Sequence, residues 1–395
     1  MKRSFICWLT LYLLLLAQWP VIANITLPDN PAELAYNNTR FELALPVVSF
    51  TGTNNLFDSQ NMNADLSDPV AKAKFLDRID GEGFKANLNS DLTFGLTFGH
   101  VEVQVRPWVS GSANLKQGFT DLVFNGYEAG KTYDLNGSKI DGIAALSLDL
   151  SYGRIIRDND RFTSSAGLTF HYLSGLGVGK AKVTANTLTP DSWGQADYQI
   201  TTDSIYGSSD DSGFSGQGFL IDFGYVYKNA NWNAGVVLKN IGPAIKWKGL
   251  TRKNSVYSGS IIGGADGPEL PEPDAVETET SNEKLSTTIP LVLELYGGRQ
   301  LGDRLRWNFG VTKGASDAYG ISTAPLLWTG LEWQPWQPFT LTGNMFWIDS
   351  QLGIDTTLRL KARFFDFNFN IGWTGGINPD EATALTGSLR TALHF

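Results

Sequence analysis

Residues 384–395 read Ala-Leu-Thr-Gly-Ser-Leu-Arg-Thr-Ala-Leu-His-Phe, and the chain stops on the aromatic. With a period of two, Leu385, Leu389, Leu393 and Phe395 fall on one face and Thr386, Ser388, Arg390 and His394 on the other. Two settings fit such an amphipathic strand. One is an ordinary half-buried edge strand of a soluble sheet. The other is the closing strand of a barrel in a bacterial outer membrane, where Leu393 and Phe395 would act as the C-terminal insertion signal.

Working outward, the opposite end of the chain points to export. Lys2 and Arg3 precede an apolar run from Phe5 to Ala17, and Val21-Ile22-Ala23 supplies the small residue needed before a cut. Residues 1–23 are therefore expected to be a cleavable signal peptide. The run is too short for a transmembrane helix, and no later stretch reaches about 18 apolar residues, so a membrane location would require a barrel. Cleavage would remove the single cysteine, Cys7, and leave about 29 basic against 40 acidic residues. An acidic chain without a basic patch excludes nucleic acid as a partner.

The composition combines 42 Gly and 48 aromatic residues (12 Trp, 13 Tyr, 23 Phe) with a mean hydropathy of −0.14. A soluble domain hides its aromatics in a Leu-rich core, whereas a membrane barrel needs only alternate residues apolar and gathers aromatics at both interfaces. Alternation recurs along the chain. Leu92, Phe94, Leu96 and Phe98 alternate with Thr93, Gly95 and Thr97. Leu146, Leu148, Leu150 and Tyr152 alternate with Ser147, Asp149 and Ser151.

About 14 such strands are expected, from 40–50 through spans such as 91–99, 140–156, 161–178 and 214–228 to 384–395. Short turns follow every second one, around His100, Asp158-Asn159-Asp160, Asn229-Ala230-Asn231, Gly302-Asp303, Trp336 and Phe365. The other connections are mostly long. This sorting predicts an all-β, transmembrane, antiparallel up-and-down β-barrel with tight periplasmic turns and longer outer loops. A soluble β-sandwich would alternate too but has no reason to sort its connections.

Two long connections carry local signals. In residues 51–90, Ser67 or Asp68 would cap a short helix with Pro69 in its first turn and Val70, Ala73, Leu76 and Ile79 along one face. Residues 243–286 are acidic and proline-punctuated, with Asp266, Glu269, Glu272, Asp274, Glu277, Glu279 and Glu283, and are expected to be mobile and solvated, without the ligand spacing of a calcium loop.

The strand register turns Asp149, Asp222, Lys239, Glu294, Arg306, Glu332, Asp355, Arg359, Lys361 and Arg390 toward the lumen, since a cation on the lipid face costs about 2 to 4 kcal/mol near the midplane. Mixed signs suggest ion pairs that brace the wall or line a pathway, and both readings stay open. His171 also points inward. It fits a hydrogen-bonded lumen side chain better than a hydrolase residue, because no nucleophile elbow or triad accompanies it. No catalytic, cofactor-binding or metal-binding residues are expected, and no enzymatic activity.

Three motifs add a family resemblance. Asn30-Pro31-Ala32-Glu33-Leu34-Ala35 precedes the first strand; Gly224-Tyr225 is followed by the Asn229-Ala230-Asn231 turn; and Gly235-Val236-Val237-Leu238-Lys239-Asn240-Ile241-Gly242 follows that. Together with the strand number and Phe395, these make the chain resemble the FadL-like outer-membrane transport barrels of diderm bacteria. The resemblance implies that Asn30, Pro31 and Ala32 form a lumenal, hatch-like segment within residues 24–39, and that residues 40–395 form the barrel. It implies a channel or transporter for small molecules, hydrophobic ones among them, in the cell outer membrane. The expected partners are outer-membrane lipid, the barrel assembly machinery and a small apolar ligand. The alternative is a non-transport barrel serving as a surface binding or envelope-assembly platform.

Overall fold

The computed structural model describes residues 30–56, 83–125, 130–188, 195–211, 213–264, 267–269, 274–348, 351–378 and 382–395, with isolated positions between 68 and 81. The expected signal peptide, 1–23, and most of the expected helix after Ser67 lie outside the described residues. Of that helix, Asp68 is described, and its carboxylate accepts from the Val70 amide at 3.1 Å.

The chain opens on a 3₁₀ turn, Pro31–Tyr36, and then builds strands: β1 (Glu42–Asn54), β2 (Phe84–Phe98), β3 (Val101–Leu115), β4 (Lys139–Asn159), β5 (Phe162–Leu188), β6 (Ala196–Ser208), β7 (Ser215–Lys228), β8 (Trp232–Ile241) and β9 (Ile245–Gly264). There follow β10 (Gly267–Glu269), β11 (Asp274–Thr287), β12 (Val292–Gly302), β13 (Leu305–Gly314), β14 (Leu326–Trp336), β15 (Phe339–Ile348), β16 (Gln351–Lys361), β17 (Phe365–Thr374) and β18 (Ala384–His394). One helix, α1 (Gln117–Asn125), lies in the β3–β4 connection. No helix among the described residues is long and apolar enough to cross a membrane.

Every pairing is antiparallel, and β1 bonds to both β2 and β18, so the first and last strands close the sheet on itself. Closure removes the exposed edges that an open sheet would have to protect. The terminal strand ends as the sequence suggests: the Phe395 amide donates to Phe41 O at 2.9 Å, and its ring lies 5.7 Å from that of Phe41.

The closed circuit has 16 strands, with β11 outside it, so the expected count of about 14 is too low. The discrepancy arises at β5. Its first half, Thr163 to Gly175, pairs with β7, whereas its second half, Gly177 to Leu188, pairs with β6. β6 in turn bonds to β9, which rejoins β7 at Lys246 to Lys248. The extra strands therefore sit on one end of the wall only. They have no long apolar stripe because they project beyond the apolar belt, and without that stripe they read as loop.

The same finding corrects the expectation for residues 243–286. They form the β9–β11 hairpin, in which Lys253 Nζ meets Glu277 Oε1 at 2.7 Å, so the acids of β11 are set against the bases of β9. Its tip, including Asp266, Pro271, Glu272 and Pro273, lies outside the described residues.

Short turns gather at the opposite end. Asn159 Oδ1 accepts from the amides of Arg161 and Phe162, and Asn229 Oδ1 from those of Asn231 and Trp232, so a side chain closes each turn.

Polarity is inverted relative to a soluble domain. On β4, Leu148, Leu150 and Tyr152 are about half exposed, while Ser147, Asp149 and Ser151 between them are buried. The same holds for Phe94, Leu96 and Phe98 on β2, Leu168, Phe170 and Tyr172 on β5, and Leu293 and Leu295 on β12. A continuous apolar belt around a closed sheet is untenable in water and suits hydrocarbon. Inside, large rings lie flat over glycines of adjacent strands. Trp247 covers Gly175 and Gly216, and packs with Ile143, Leu173, Leu220 and Leu250.

Candidate lumenal site

The N-terminal segment is pegged to the inner wall near the short-turn end. Asn30 caps the 3₁₀ turn, its Oδ1 accepting from the Ala32 amide at 2.9 Å. Its Nδ2 donates to Tyr225 O at 3.2 Å, to Val236 O at 3.4 Å and to the Tyr296 hydroxyl at 3.0 Å. Ser165 Oγ donates to Ala32 O at 2.9 Å. Lys228 pairs with Glu33 and stands 3.8 Å from the Tyr36 ring centre, and Leu34 O lies 3.0 Å from His100 Nδ1.

The wall is shaped to admit this peg. Gly153 on β4, Gly167 on β5 and Gly224 on β7 are its floor, and a Cβ on any of them would run into Pro31, Ala32, Ala35 or Asn30. Burial follows: Ala32 is fully enclosed, and Asn30 and Ala35 nearly so. The Asn-Pro-Ala motif is legible from sequence, whereas its receptor is not, because the three glycines lie far apart in the chain and become neighbours only in register.

Away from the peg, toward the long connections, the lumen holds a cavity of about 210 Å³. Trp108, Leu173, Leu220, Ile289, Tyr319 and Ile321 give it apolar walls, and Asp91, Arg106, His171 and Asn240 a polar side. A second, polar cavity of about 220 Å³ includes Lys139, Asp141, Lys180 and Asp317. Tyr319 borders both. Burial pushes its phenol up to about 12, so it stays protonated and neutral at physiological pH.

Beside the apolar cavity, His171 bridges two carboxylates. Its Nδ1 lies 2.7 Å from Asp149 Oδ1, and its Nε2 lies 3.1 Å from Asp222 Oδ2, within ion-pair distance but off the hydrogen-bond line. Arg106 reaches Asp149 at 3.4 Å, Ser147 also donates to Asp149, and the Asn240 amide donates to Asp222 at 2.7 Å. With both ring nitrogens facing carboxylates, His171 has no free nitrogen for a substrate, so it braces β4, β5 and β7.

The remaining charged positions separate by height. Lys239 pairs with Glu294 at 3.0 Å, and Arg306 stands opposite Glu332 in the β13–β14 register. Asp355 is fully buried and accepts from Asn344 at 2.8 Å and from Asn370. Arg359, Lys361 and Arg390 are exposed at the short-turn end, where Arg359 holds Asp366 and Arg390 holds Glu42 at 3.1 Å. The alternation marks these positions without their partners; Asn344, Asn370 and Asp366 carry no signal until the strands are aligned.

Residues 31–372 match the model described as "Family of unknown function (DUF5723)". No curated protein matches the chain. Solved structures with the same fold include a TodX deltaS2S3 mutant described as a monoaromatic hydrocarbon channel, at 12% identity and TM-score 0.50, covering 94% of this chain and 93% of that one. The Pseudomonas putida toluene transporter TodX aligns at 12% identity and TM-score 0.48 over 93% and 91% of the two chains. A Pseudomonas aeruginosa FadL homologue aligns at 13% identity and TM-score 0.40 over 93% and 91%. The chain thus shares the overall fold of the TodX deltaS2S3 mutant.

Proposed function

The chain belongs to the DUF5723 family, a family of unknown function, and from this premise we propose that it is an outer-membrane channel or transporter for small hydrophobic molecules. The observation that carries this is the half-open cavity of about 210 Å³, apolar on one side and polar on the other, held within the lumen between the outer connections and the Asn30–Ala35 peg. An apolar cavity of about 150 Å³ suffices for benzene, so this one suits a single ring or a short branched chain. The printed descriptions of the similar structures, toluene transporters and monoaromatic hydrocarbon channels, agree with that size.

In this reading the chain is exported by residues 1–23 and inserted by the assembly machinery through Leu393 and Phe395. Residues 24–39 then serve as a hatch-like plug closed by Asn30, Pro31 and Ala32. The inward charges hold the wall in shape around the apolar cavity, and no chemical step is assigned to them. The test is uptake of toluene into liposomes containing the purified protein. Entry well above that of protein-free liposomes is expected, and a solute-tight barrel with no bound apolar molecule would sink the proposal.

One observation favours the alternative, a surface platform. Among the described residues β11 bonds only to β9, so its other edge, from Asp274 to Thr287, is open beyond the apolar belt. If that edge is the working part, deleting residues 250–282 abolishes partner capture and leaves toluene uptake unchanged.

A further inference from the structure

Lys246 and Lys248 on β9 and Lys284 on β11 form a cationic cluster on the outer surface. The register settles their direction. Ile245 and Trp247 of β9 are fully buried inside the barrel and stand opposite Thr287 and Leu285 of β11, so Lys246, Lys248, Lys284 and Ser286, alternating with them, face outward. All four are exposed.

Their height is fixed by β7. Lys246 pairs with Gln217 and Lys248 with Ser215, and Gln217 is two residues from Phe219, the exposed aromatic at that end of the apolar belt. The lysines therefore sit about 7 Å beyond the belt's edge, at headgroup depth. Below them, Phe219, Ile241, Leu291 and Leu293 are all exposed to the hydrocarbon layer.

Among the described residues, no acid is paired with the cluster. No ion pair involves the three lysines among the described residues. Arg252 and Lys253, further along β9, are matched by Asp203 and Glu277. Glu283, next to Lys284 in sequence, stands opposite Leu250 on the inner side, and its charge acts on Arg252. Like charges on neighbouring strands repel, and this chain elsewhere interleaves them with acids. Three unmatched lysines directly above an apolar surface are the arrangement that an anionic lipid completes, its phosphate on the ammonium groups and its chains on the wall.

We propose that Lys246, Lys248 and Lys284 form a binding site for the phosphate group of an outer-leaflet lipid. Ser215, Gln217 and Ser286 add polar groups to the rim, and Phe219 and Leu293 receive the acyl chains. The site is outside the lumen and does not depend on what the channel carries, only on the barrel lying in a membrane.

The test is binding of lipid A to the purified full-length barrel in detergent, followed by native mass spectrometry, with dephosphorylated lipid A and inorganic phosphate as separate arms. Phosphorylated lipid is expected to be retained, and the Lys246→Gln, Lys248→Gln, Lys284→Gln triple variant to bind it roughly 100-fold more weakly. The Arg versions of the same three positions should keep binding, and Lys361→Gln at the opposite rim should not alter it. Equal retention of dephosphorylated lipid, binding of inorganic phosphate as tight as that of the lipid, or full binding by the Gln triple variant would each overturn the proposal. Heat-dependent gel migration confirms that each variant is folded, and should the triple variant fail to fold, the three single Gln variants are measured, each expected to weaken binding several-fold.

Discussion

Asn30 Oδ1 rests directly on Gly224, so that a Cβ at that position would overlap the amide oxygen. The contact couples the N-terminal turn to a strand nearly 200 residues later. Gly224→Ala should therefore lift the peg while leaving the strand intact. Displacement forfeits the Asn30 hydrogen bonds to Tyr225, Val236 and Tyr296, roughly 3 kcal/mol at about 1 kcal/mol each. The expected outcome is faster protease cleavage near residues 30–36 and higher conductance, with unchanged heat-dependent migration of the barrel.

His171 gives a prediction of the opposite kind, in which the wall itself weakens. Replacing it with Ala leaves Asp149 and Asp222, both nearly buried, facing each other without the bridging ring. Breaking a buried charged network by removing one partner costs about 3 to 5 kcal/mol. The variant should lose its heat-resistant migration at a lower temperature than the parent, whereas His100→Ala, at an exposed rim, should not.

These cases show where the sequence is legible. Alternation from Leu146 to Tyr152 fixes which face meets lipid, because the bilayer forces every second residue outward, and the terminal strand closes the barrel as Phe395 suggests. β6 and β9 escape because both of their faces meet water or a mixed lining, which erases the period. The site is half legible. Asn30, Pro31 and Ala32 announce themselves as a motif, but Gly153, Gly167 and Gly224 acquire meaning only when three strands stand side by side. His171 likewise carries no signal of its role until Asp149 and Asp222 flank it.

The cavity can be tested by filling it. Leu220 lies on its wall and is 5% exposed, so Leu220→Trp would occupy much of the 210 Å³. Toluene uptake should fall severalfold or more, at a stability cost of about 1 to 3 kcal/mol from overpacking. Leu150→Trp, a similar change on the lipid face where Leu150 is 52% exposed, should leave uptake unaltered.

The last prediction concerns the β13–β14 connection, which carries Tyr319 and Ile321 to the cavity. Asp317 accepts from the Thr323 amide at 2.7 Å and from its hydroxyl at 3.0 Å, and these bonds, the backbone one foremost, hold its carboxyl below the ordinary value of 3.8. A depressed carboxylate stabilises the folded loop fully above that ordinary value and loses its contribution as the pH falls through the depressed one. Hydrogen exchange of residues 315–325 should therefore stay slow, after correction for intrinsic rates, from pH 7 down to about 4 and quicken only below it. Asp317→Asn accepts more weakly and cannot ionise, so its loop should exchange faster at pH 7 and show no further acid step. Since Tyr319 borders both cavities, the same variant should let toluene enter faster at pH 7, which ties the charge on one carboxylate to access to the lumen.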